Sequence, residues 1–330
     1  MQKPKVSLTS DVTIVQESGE KYKIALNDVG RKLAFIRPSS EIVQLIEKVK
    51  LCTSERELNQ LAAHYKNITH QGVHPQAGYY SGEELISQAR GENEWKLLFT
   101  DCQLSRSDKI LNVGCSFGLT ELWGLDHGYQ CYGVEPDPVA AAIAGKLLSL
   151  SGYRASQYVF QEYGEKLHFK DDYFDVVVSL STFEHVSCPE LVIDEMLRVL
   201  KPGGFLVIVC PSYSSFWEPH YSLPWSPFFP KKIAKLYVRL LGRKTELIDE
   251  INFIKPSFFK KYFKTKHLEF KDLSEKLMLL MVGVDGSISN PFLGKILKCV
   301  GPLLLKSISA LHVYPYIKFI VKKKLSEGLQ

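Results

Sequence analysis

The sequence predicts an α/β fold in which a doubly wound parallel sheet carries helices on both faces. Residues Ile110, Leu111 and Val113 form a short, mostly apolar run, which is typical of a parallel strand buried on both sides. A glycine-rich turn at 114–118 follows at once, and a helix is expected from about Leu119. A second apolar strand over 132–134 ends on the acid Glu135. Strand, glycine turn, helix and strand in this order indicate alternating α/β architecture.

The same stretch is a nucleotide-binding half-site. The turn lets the backbone approach a ligand at the carboxyl end of the strand, and an acid about 20 residues on can accept hydrogen bonds from ribose hydroxyls. The dinucleotide fingerprint requires glycine where this chain has Gly114, Ser116 and Leu119, so two of three glycines are missing. This argues against NAD or FAD. S-adenosylmethionine has ribose and adenine but no phosphate, so it places fewer demands on the turn.

Residues 109–137 resemble the first motif of the class I S-adenosylmethionine-dependent methyltransferases, of the methyltransferase type 11 kind. Two further strings match in the right order, FDVV at 174–177 and RVLKPGG at 198–204 before an apolar strand. The resemblance covers 109–212. It implies a Rossmann-like, seven-stranded sheet, parallel except for an antiparallel last strand near 316–321, and S-adenosylmethionine as cofactor.

The resemblance also implies a set of cofactor contacts. The glycine loop maps to 114–118, the ribose-binding acid to Glu135 and the adenine side to Glu165. Ser116 stands where the family usually has glycine, and Tyr163 where it often has an aspartate that meets the adenine amine. The predicted cofactor-binding residues are Asn112, Gly114, Cys115, Ser116, Gly118, Glu135, Pro136, Glu165 and Ser181.

Three residues are candidates for catalysis. Glu184 and His185 follow the fourth strand and resemble the family's EHV string, so they border the cofactor and can tune proton transfer. The favoured alternative is that both only cap the helix starting near Pro189. His220 lies in the loop 211–230 after the fifth strand, which commonly lines the acceptor pocket in the family. A self-packed surface loop is an equal alternative. This loop also offers Trp217, Glu218, Tyr221 and Trp225 as a base or aromatic walls.

We divide the chain into an N-terminal accessory segment, 1–81, and a methyltransferase domain, 82–330. The domain comprises the cofactor core 109–212, an acceptor-side loop and helix at 213–260, and an insertion at 276–312. In the accessory segment the sequence predicts a hairpin around Ser18–Glu20 and a helix from about Ser40. It predicts no catalytic or binding residue there. Tyr79 and Tyr80 either cover the cofactor or pin a loop. We predict no metal site, because His64, His70 and His74 match no metal-ligand spacing.

Composition sets outer limits on the function. Of 330 residues 45% are hydrophobic and 23% charged, which supports a real core and excludes wholesale disorder. A net charge of +5 permits an anionic ligand or a membrane surface without demanding nucleic acid. Seven cysteines without a CxxC pair, no apolar leader and no long apolar run indicate a cytoplasmic protein. The basic amphipathic stretch 231–244 leaves peripheral contact with the inner face of the membrane open.

The predicted function is S-adenosylmethionine-dependent methylation of a small-molecule acceptor. A sugar or lipid-linked glycan is the favoured acceptor, because sequences with a similar HYSLPW loop resemble surface-polysaccharide enzymes. The alternatives are an NAD-dependent sugar oxidoreductase and a non-catalytic S-adenosylmethionine-binding protein. Nucleic acid is not an expected partner, since no NPPY-like tetrad follows the fourth strand. The acceptor atom and the oligomeric state stay open.

Overall fold

A computed structural model describes residues 12–15, 21–24, 40–71, 73, 85–282 and 313–325. Three predictions concern residues outside this range. They are that His74 binds no metal, that Tyr79 and Tyr80 cover the cofactor or pin a loop, and that the insertion extends beyond residue 282.

The described chain contains eleven strands and ten α-helices. The strands are β1 Val12–Val15, β2 Lys21–Ile24, β3 Lys109–Val113, β4 Gln130–Val134, β5 Val159–Phe160, β6 Phe174–Leu180, β7 Leu200–Pro211, β8 Trp217–Glu218, β9 Leu223–Pro224, β10 Glu269–Asp272 and β11 Tyr316–Lys322. The helices are α1 Ser40–Leu51, α2 Glu55–Thr69, α3 Gln88–Phe99, α4 Leu119–Asp126, α5 Pro138–Leu150, α6 Pro189–Val199, α7 Lys231–Leu240, α8 Glu246–Glu250, α9 Pro256–Thr265 and α10 Ser274–Val282.

Seven strands form the central sheet in the order β10-β11-β7-β6-β3-β4-β5. The β3, β4, β5, β6 and β7 strands pair in parallel, whereas β11 runs antiparallel to both of its neighbours, β7 and β10. This confirms the predicted Rossmann-like sheet with an antiparallel last strand. Because the chain order reverses beside β3, a crevice opens at the carboxyl ends of β3, β4, β6 and β7.

Helices cover both faces of the sheet, as the buried strands require. On one face α6 and α9 pack through residues such as Met196 and Phe259 against Val177 and Phe319. On the other face α3 packs through Trp95 and Leu98. The burial of strand side chains on both sides explains their continuous apolar runs.

The RVLKPGG string differs from the prediction. The string at 198–204 was expected to precede the apolar strand, but α6 ends at Val199 and β7 already begins at Leu200. Leu200 pairs with Phe174, and the register then shifts before Val176 pairs with Phe205. Gly203 has a φ of +81°, so the four residues 201–204 form an irregular step within the strand.

A buried lysine fixes α3 to the sheet. Lys318, in the middle of β11, is fully buried. Its ammonium pairs with Asp101 at 2.8 Å and donates to the carbonyl oxygen of Leu97 at 2.8 Å. The buried charge is therefore compensated by a carboxylate and a helix-end carbonyl.

The N-terminal segment contributes helices to the core. Leu45 and Val49 of α1 and Leu58 of α2 share one buried cluster with Ile143 and Leu147 of α5. The predicted hairpin is present as the antiparallel pair β1–β2.

Candidate functional site

The glycine loop connects β3 to α4 and is held against the end of β4. The N–H groups of Gly114 and Cys115 both donate to the carbonyl oxygen of Val134, at 2.9 and 3.0 Å. Gly114, Ser116 and Gly118 have φ values of +84°, +48° and +74°. Left-handed backbone at a serine is strained, and such strain is typical of ligand-binding loops.

Glu135 lies directly after β4 and connects to this loop. Its Oε2 accepts a hydrogen bond from the Ser116 N–H at 2.8 Å, and its Oε1 accepts from the Asp137 N–H at 3.0 Å. Burial raises the pKa of Glu135 to about 7, although the two N–H donors favour its charged form. A nearly buried carboxylate at a strand end can accept hydrogen bonds from ribose hydroxyls.

Gly114 has no room for a side chain. A Cβ at this position would lie 2.6 Å from Cγ2 and 2.9 Å from Cβ of Thr182, a residue of the loop after β6. The Thr182 hydroxyl donates to the carbonyl oxygen of Val113 at 3.3 Å. The sequence did not single out Thr182, because its role depends on the contact between two distant loops.

The other predicted cofactor residues occupy different environments. The side chains of Asn112 and Cys115 are buried. Pro136 is half-buried and Ser181 is exposed, with a φ of +52°. Burial raises the pKa of Glu165, while the backbone amides of Ser187 and Cys188 favour its charged form. Glu165 therefore faces the loop that leads into α6.

Helix α2 reaches the crevice from the accessory segment, where we expected no chemistry. The Tyr65 hydroxyl donates to Asp137 Oδ2 at 2.6 Å, and the other oxygen of Asp137 caps α5. The Lys66 ammonium lies 5.4 Å from the centroid of the Phe117 ring in the glycine loop. Burial lowers the pKa of Lys66, and the charge of Glu135 opposes that shift. No local sequence pattern indicates this docking.

The loop after β6 carries Glu184 and His185. Its backbone is held by Asn252, whose N–H donates to the Glu184 carbonyl oxygen at 2.6 Å and whose side chain donates to the carbonyl of Val186 at 2.6 Å. The Glu184 side chain is 1% exposed, and among the described residues its Oε2 has no hydrogen-bond partner. Burial raises the pKa of Glu184 to about 7.

His220 lies in the loop after β7 and is oriented by Glu218. Its Nδ1 lies 2.7 Å from Glu218 Oε1, and the Glu218 carboxylate is fully buried. Glu218 also accepts hydrogen bonds from the Tyr213 hydroxyl at 2.8 Å and the Tyr221 N–H at 2.6 Å. Burial alone would lower the pKa of His220, but the hydrogen bond and charge of Glu218 raise it. The interaction leaves Nε2 as the ring nitrogen that does not contact Glu218.

The three predicted catalytic residues meet at one place. One ligand atom each of Glu184, His185 and His220 lies within 4.8 Å of the others, and the two imidazole rings are 5.2 Å apart. Burial, followed by the charge of His220, lowers the pKa of His185 to about 3. Since 45% of that side chain is exposed, water screens part of the shift, but the ring is neutral at pH 7 either way. The cluster can accept a proton or bind a cation.

The aromatic loop is less open than we expected. Tyr221 and Trp225 pack into a buried cluster with Tyr213 and Val238, so they do not form pocket walls. Trp217 is 49% exposed and remains available. The strands β8 and β9 explain this, because they fold the loop into a small two-stranded sheet.

Comparisons with known proteins agree on the core. Residues 111–208 match a family model described as a methyltransferase domain. An uncharacterised methyltransferase of Mycolicibacterium vanbaalenii is 42% identical over 138 residues, which are 41% of this chain and 51% of that protein. A tocopherol O-methyltransferase of Arabidopsis thaliana is 29% identical over 133 residues, 39% of this chain and 38% of that protein. The chain thus spans about half the length, or less, of these relatives.

A solved structure, that of the YcgJ protein of Bacillus subtilis, has 15% sequence identity and a TM-score of 0.45, over 72% of this chain and all of that one. The family match coincides with the strands that carry the glycine loop, Glu135 and the 184–185 loop. Residues 111–208 of this chain therefore match a methyltransferase domain, in agreement with the expected resemblance to the class I S-adenosylmethionine-dependent methyltransferases.

Proposed function

We propose that the protein transfers a methyl group from S-adenosylmethionine to a hydroxyl group of a small-molecule acceptor. The observation that carries the proposal is the position of Glu135, whose carboxylate joins the end of β4 to the glycine loop through Ser116. An acid in this position suits a ribose, and the turn carries no pyrophosphate fingerprint. The predicted cofactor residues named above form the remainder of the proposed binding surface.

Methyl transfer makes modest chemical demands. The acceptor oxygen forms a bond to the methyl carbon while the carbon–sulfur bond breaks, and the electron pair of that bond stays on sulfur. The acceptor hydroxyl loses its proton, so the products are the methyl ether, S-adenosylhomocysteine and H⁺. Alignment of the reactants can supply ~7–11 kcal/mol of the barrier. The cluster of Glu184, His185 and His220 is the proposed place of acceptor activation.

The proposed acceptor is sugar-like or attached to a lipid, and two features support a hydroxyl acceptor close to a membrane. The Arabidopsis thaliana relative is named as a tocopherol O-methyltransferase. Helix α7 and Phe228, which precedes it, carry an exposed apolar patch. Basic residues lie beside this patch. Its members are Phe228, Ile233, Leu236, Leu240 and Leu241, with Lys232 and Arg239 beside them. Such a surface suits the anionic face of a membrane.

The cofactor proposal is tested by calorimetry of the full chain with S-adenosylhomocysteine and with NAD. We expect one S-adenosylhomocysteine per chain and no NAD binding. NAD binding without S-adenosylhomocysteine binding would favour the oxidoreductase alternative. S-adenosylhomocysteine binding without methyl transfer to any sugar, lipid-linked glycan or phenol would favour a non-catalytic binding protein.

The membrane patch is tested by co-sedimentation with vesicles containing anionic phospholipid. Leu240→Glu should weaken binding several-fold, because it places a carboxylate in the apolar patch. Leu51→Glu is a matched control, since Leu51 of α1 is 78% exposed and Leu240 is 77% exposed. If both variants and the parent bind vesicles equally, the patch on α7 is not a membrane-binding surface. None of the described helices is long and apolar enough to cross a membrane.

A further inference from the structure

A buried, unsatisfied carboxylate oxygen marks the cluster at the acceptor end of the crevice. Glu184 is 1% exposed, and within the described part of the chain nothing donates a hydrogen bond to its Oε2. An orphaned carboxylate in the interior is unfavourable unless a cation or a proton compensates it. The ligand atoms of His185 and His220 lie within 4.8 Å of the Glu184 ligand atom. We propose that Glu184, His185 and His220 bind one divalent transition-metal cation, of the zinc or manganese class.

The donor set fits such a cation. Two imidazoles and one carboxylate are common ligands of zinc, manganese and iron, and three protein ligands leave positions free for a substrate oxygen. Bonds of ~2.0–2.2 Å to one ion place neighbouring ligand atoms ~3–3.5 Å apart. The observed limit of 4.8 Å therefore requires only a small inward movement of side chains.

Glu218 already holds one of the proposed ligands, His220, in position. Metal-binding histidines typically donate their other ring nitrogen to a carboxylate. Here the Nδ1 of His220 is 2.7 Å from the fully buried Glu218, which Tyr213 and the Tyr221 N–H hold in turn. This arrangement holds the ring and leaves Nε2 as the nitrogen that would bind the cation.

The charges near the cluster are mixed. Glu184 and Glu218 supply negative charge, whereas Lys66 of α2 acts on both histidines as a positive charge. His70 acts in the same sense on His185, so the donor set and the unpartnered Glu184 oxygen, and not the local charge balance, favour a cation here.

The inference rests on the proposed function and specifies how the acceptor is activated. A bound divalent cation would hold the acceptor oxygen and lower the pKa of its hydroxyl, so that the proton leaves to water. The oxygen then forms its bond to the methyl carbon as the carbon–sulfur bond breaks. The acceptor would be a hydroxyl compound with a second oxygen nearby, which could occupy another open position on the ion.

The test uses the full chain, stripped with a chelator and titrated with Zn²⁺ and with Mn²⁺ against a chromophoric competitor. We expect one site per chain. Glu184→Gln and His185→Ala should each weaken that site at least tenfold, and Glu218→Gln should weaken it about 10- to 100-fold. His168→Ala is the matched control, because His168 also pairs with a glutamate, Glu162, at 2.5 Å, but on another surface. The metal affinity of the His168→Ala variant should equal that of the parent.

Two readouts keep the outcome decisive. Co²⁺ added to the stripped parent should give visible absorption bands that disappear when Zn²⁺ is added, which needs no variant to fold. S-adenosylhomocysteine binding is measured on the same samples, as a test of the cofactor site alone. Parent-like metal affinity in the His185→Ala variant, or absence of a Co²⁺ spectrum, would overturn the metal site. If the parent does not bind S-adenosylhomocysteine, the proposed function is wrong, whatever the metal result.

Discussion

Replacing Gly114 by alanine tests how the glycine loop is built. The position has a φ of +84°, and a left-handed residue other than glycine costs ~1–2 kcal/mol. The new Cβ would also lie 2.6 Å from Cγ2 and 2.9 Å from Cβ of Thr182. Crowding of this kind typically costs ~1–3 kcal/mol. The variant should therefore lose ~2–5 kcal/mol of unfolding free energy in total, and S-adenosylhomocysteine binding should weaken because the loop must move.

The two contributions can be separated with Gly128→Ala. Gly128 has a φ of +80°, but no atom of the described residues lies within 4 Å of its ideal Cβ. That variant should lose only the backbone part, ~1–2 kcal/mol. Urea denaturation of both variants measures the difference, and calorimetry measures ligand binding. Adding Thr182→Ala to Gly114→Ala should recover part of the loss. If both variants lose the same unfolding free energy and Gly114→Ala binds ligand like the parent, the contact with Thr182 is not the reason why position 114 is glycine.

Three other predictions follow from buried or clustered groups. Glu135→Ala should weaken S-adenosylhomocysteine binding by ~1.5–3 kcal/mol, since hydrogen bonds to a charged group are lost; calorimetry decides it, with melting curves as a folding control. Burial raises the pKa of Glu121 to about 8, so the folded chain holds this proton more tightly than the unfolded chain. Its contribution to stability should thus be largest at acidic pH and fall by about 1.4 kcal/mol per pH unit toward pH 8. Glu121→Gln should flatten that dependence in melting temperatures measured from pH 5.5 to 8.5, and an unchanged slope would contradict it. His220→Ala should leave S-adenosylhomocysteine affinity within about threefold and reduce single-turnover methyl transfer by ~10²–10⁴; an unchanged rate would make His220 a structural residue.

The sequence predicted the elements whose signals are local. Apolar runs predicted the strands β3 and β4, and the FDVV string and the resemblance near 316–321 predicted β6 and β11. Each of these depends on neighbouring residues alone. The position of Glu135 beside the glycine loop follows from parallel strand order, so it too was accessible.

The features that the sequence missed depend on contacts between distant segments. Tyr65 meets Asp137 across 72 positions, and Asn252 meets Val186 across 66. The burial of Trp225 depends on α7 and the 251–254 segment folding over the loop. His185 and His220 were each predicted, but their meeting with Glu184 required the ends of β6 and β7 to be neighbours.

The position of β11 has a consequence for the order of folding. This strand pairs with β7, from which it is separated by about 100 residues of chain. Pairings over such a span form late, because closing a long loop costs entropy before any contact repays it. Until β11 arrives, β7 is an open sheet edge, and Asp101 lacks the buried ammonium of Lys318. Partly folded chains thus expose an apolar strand edge during synthesis, and that edge is the expected starting point for aggregation.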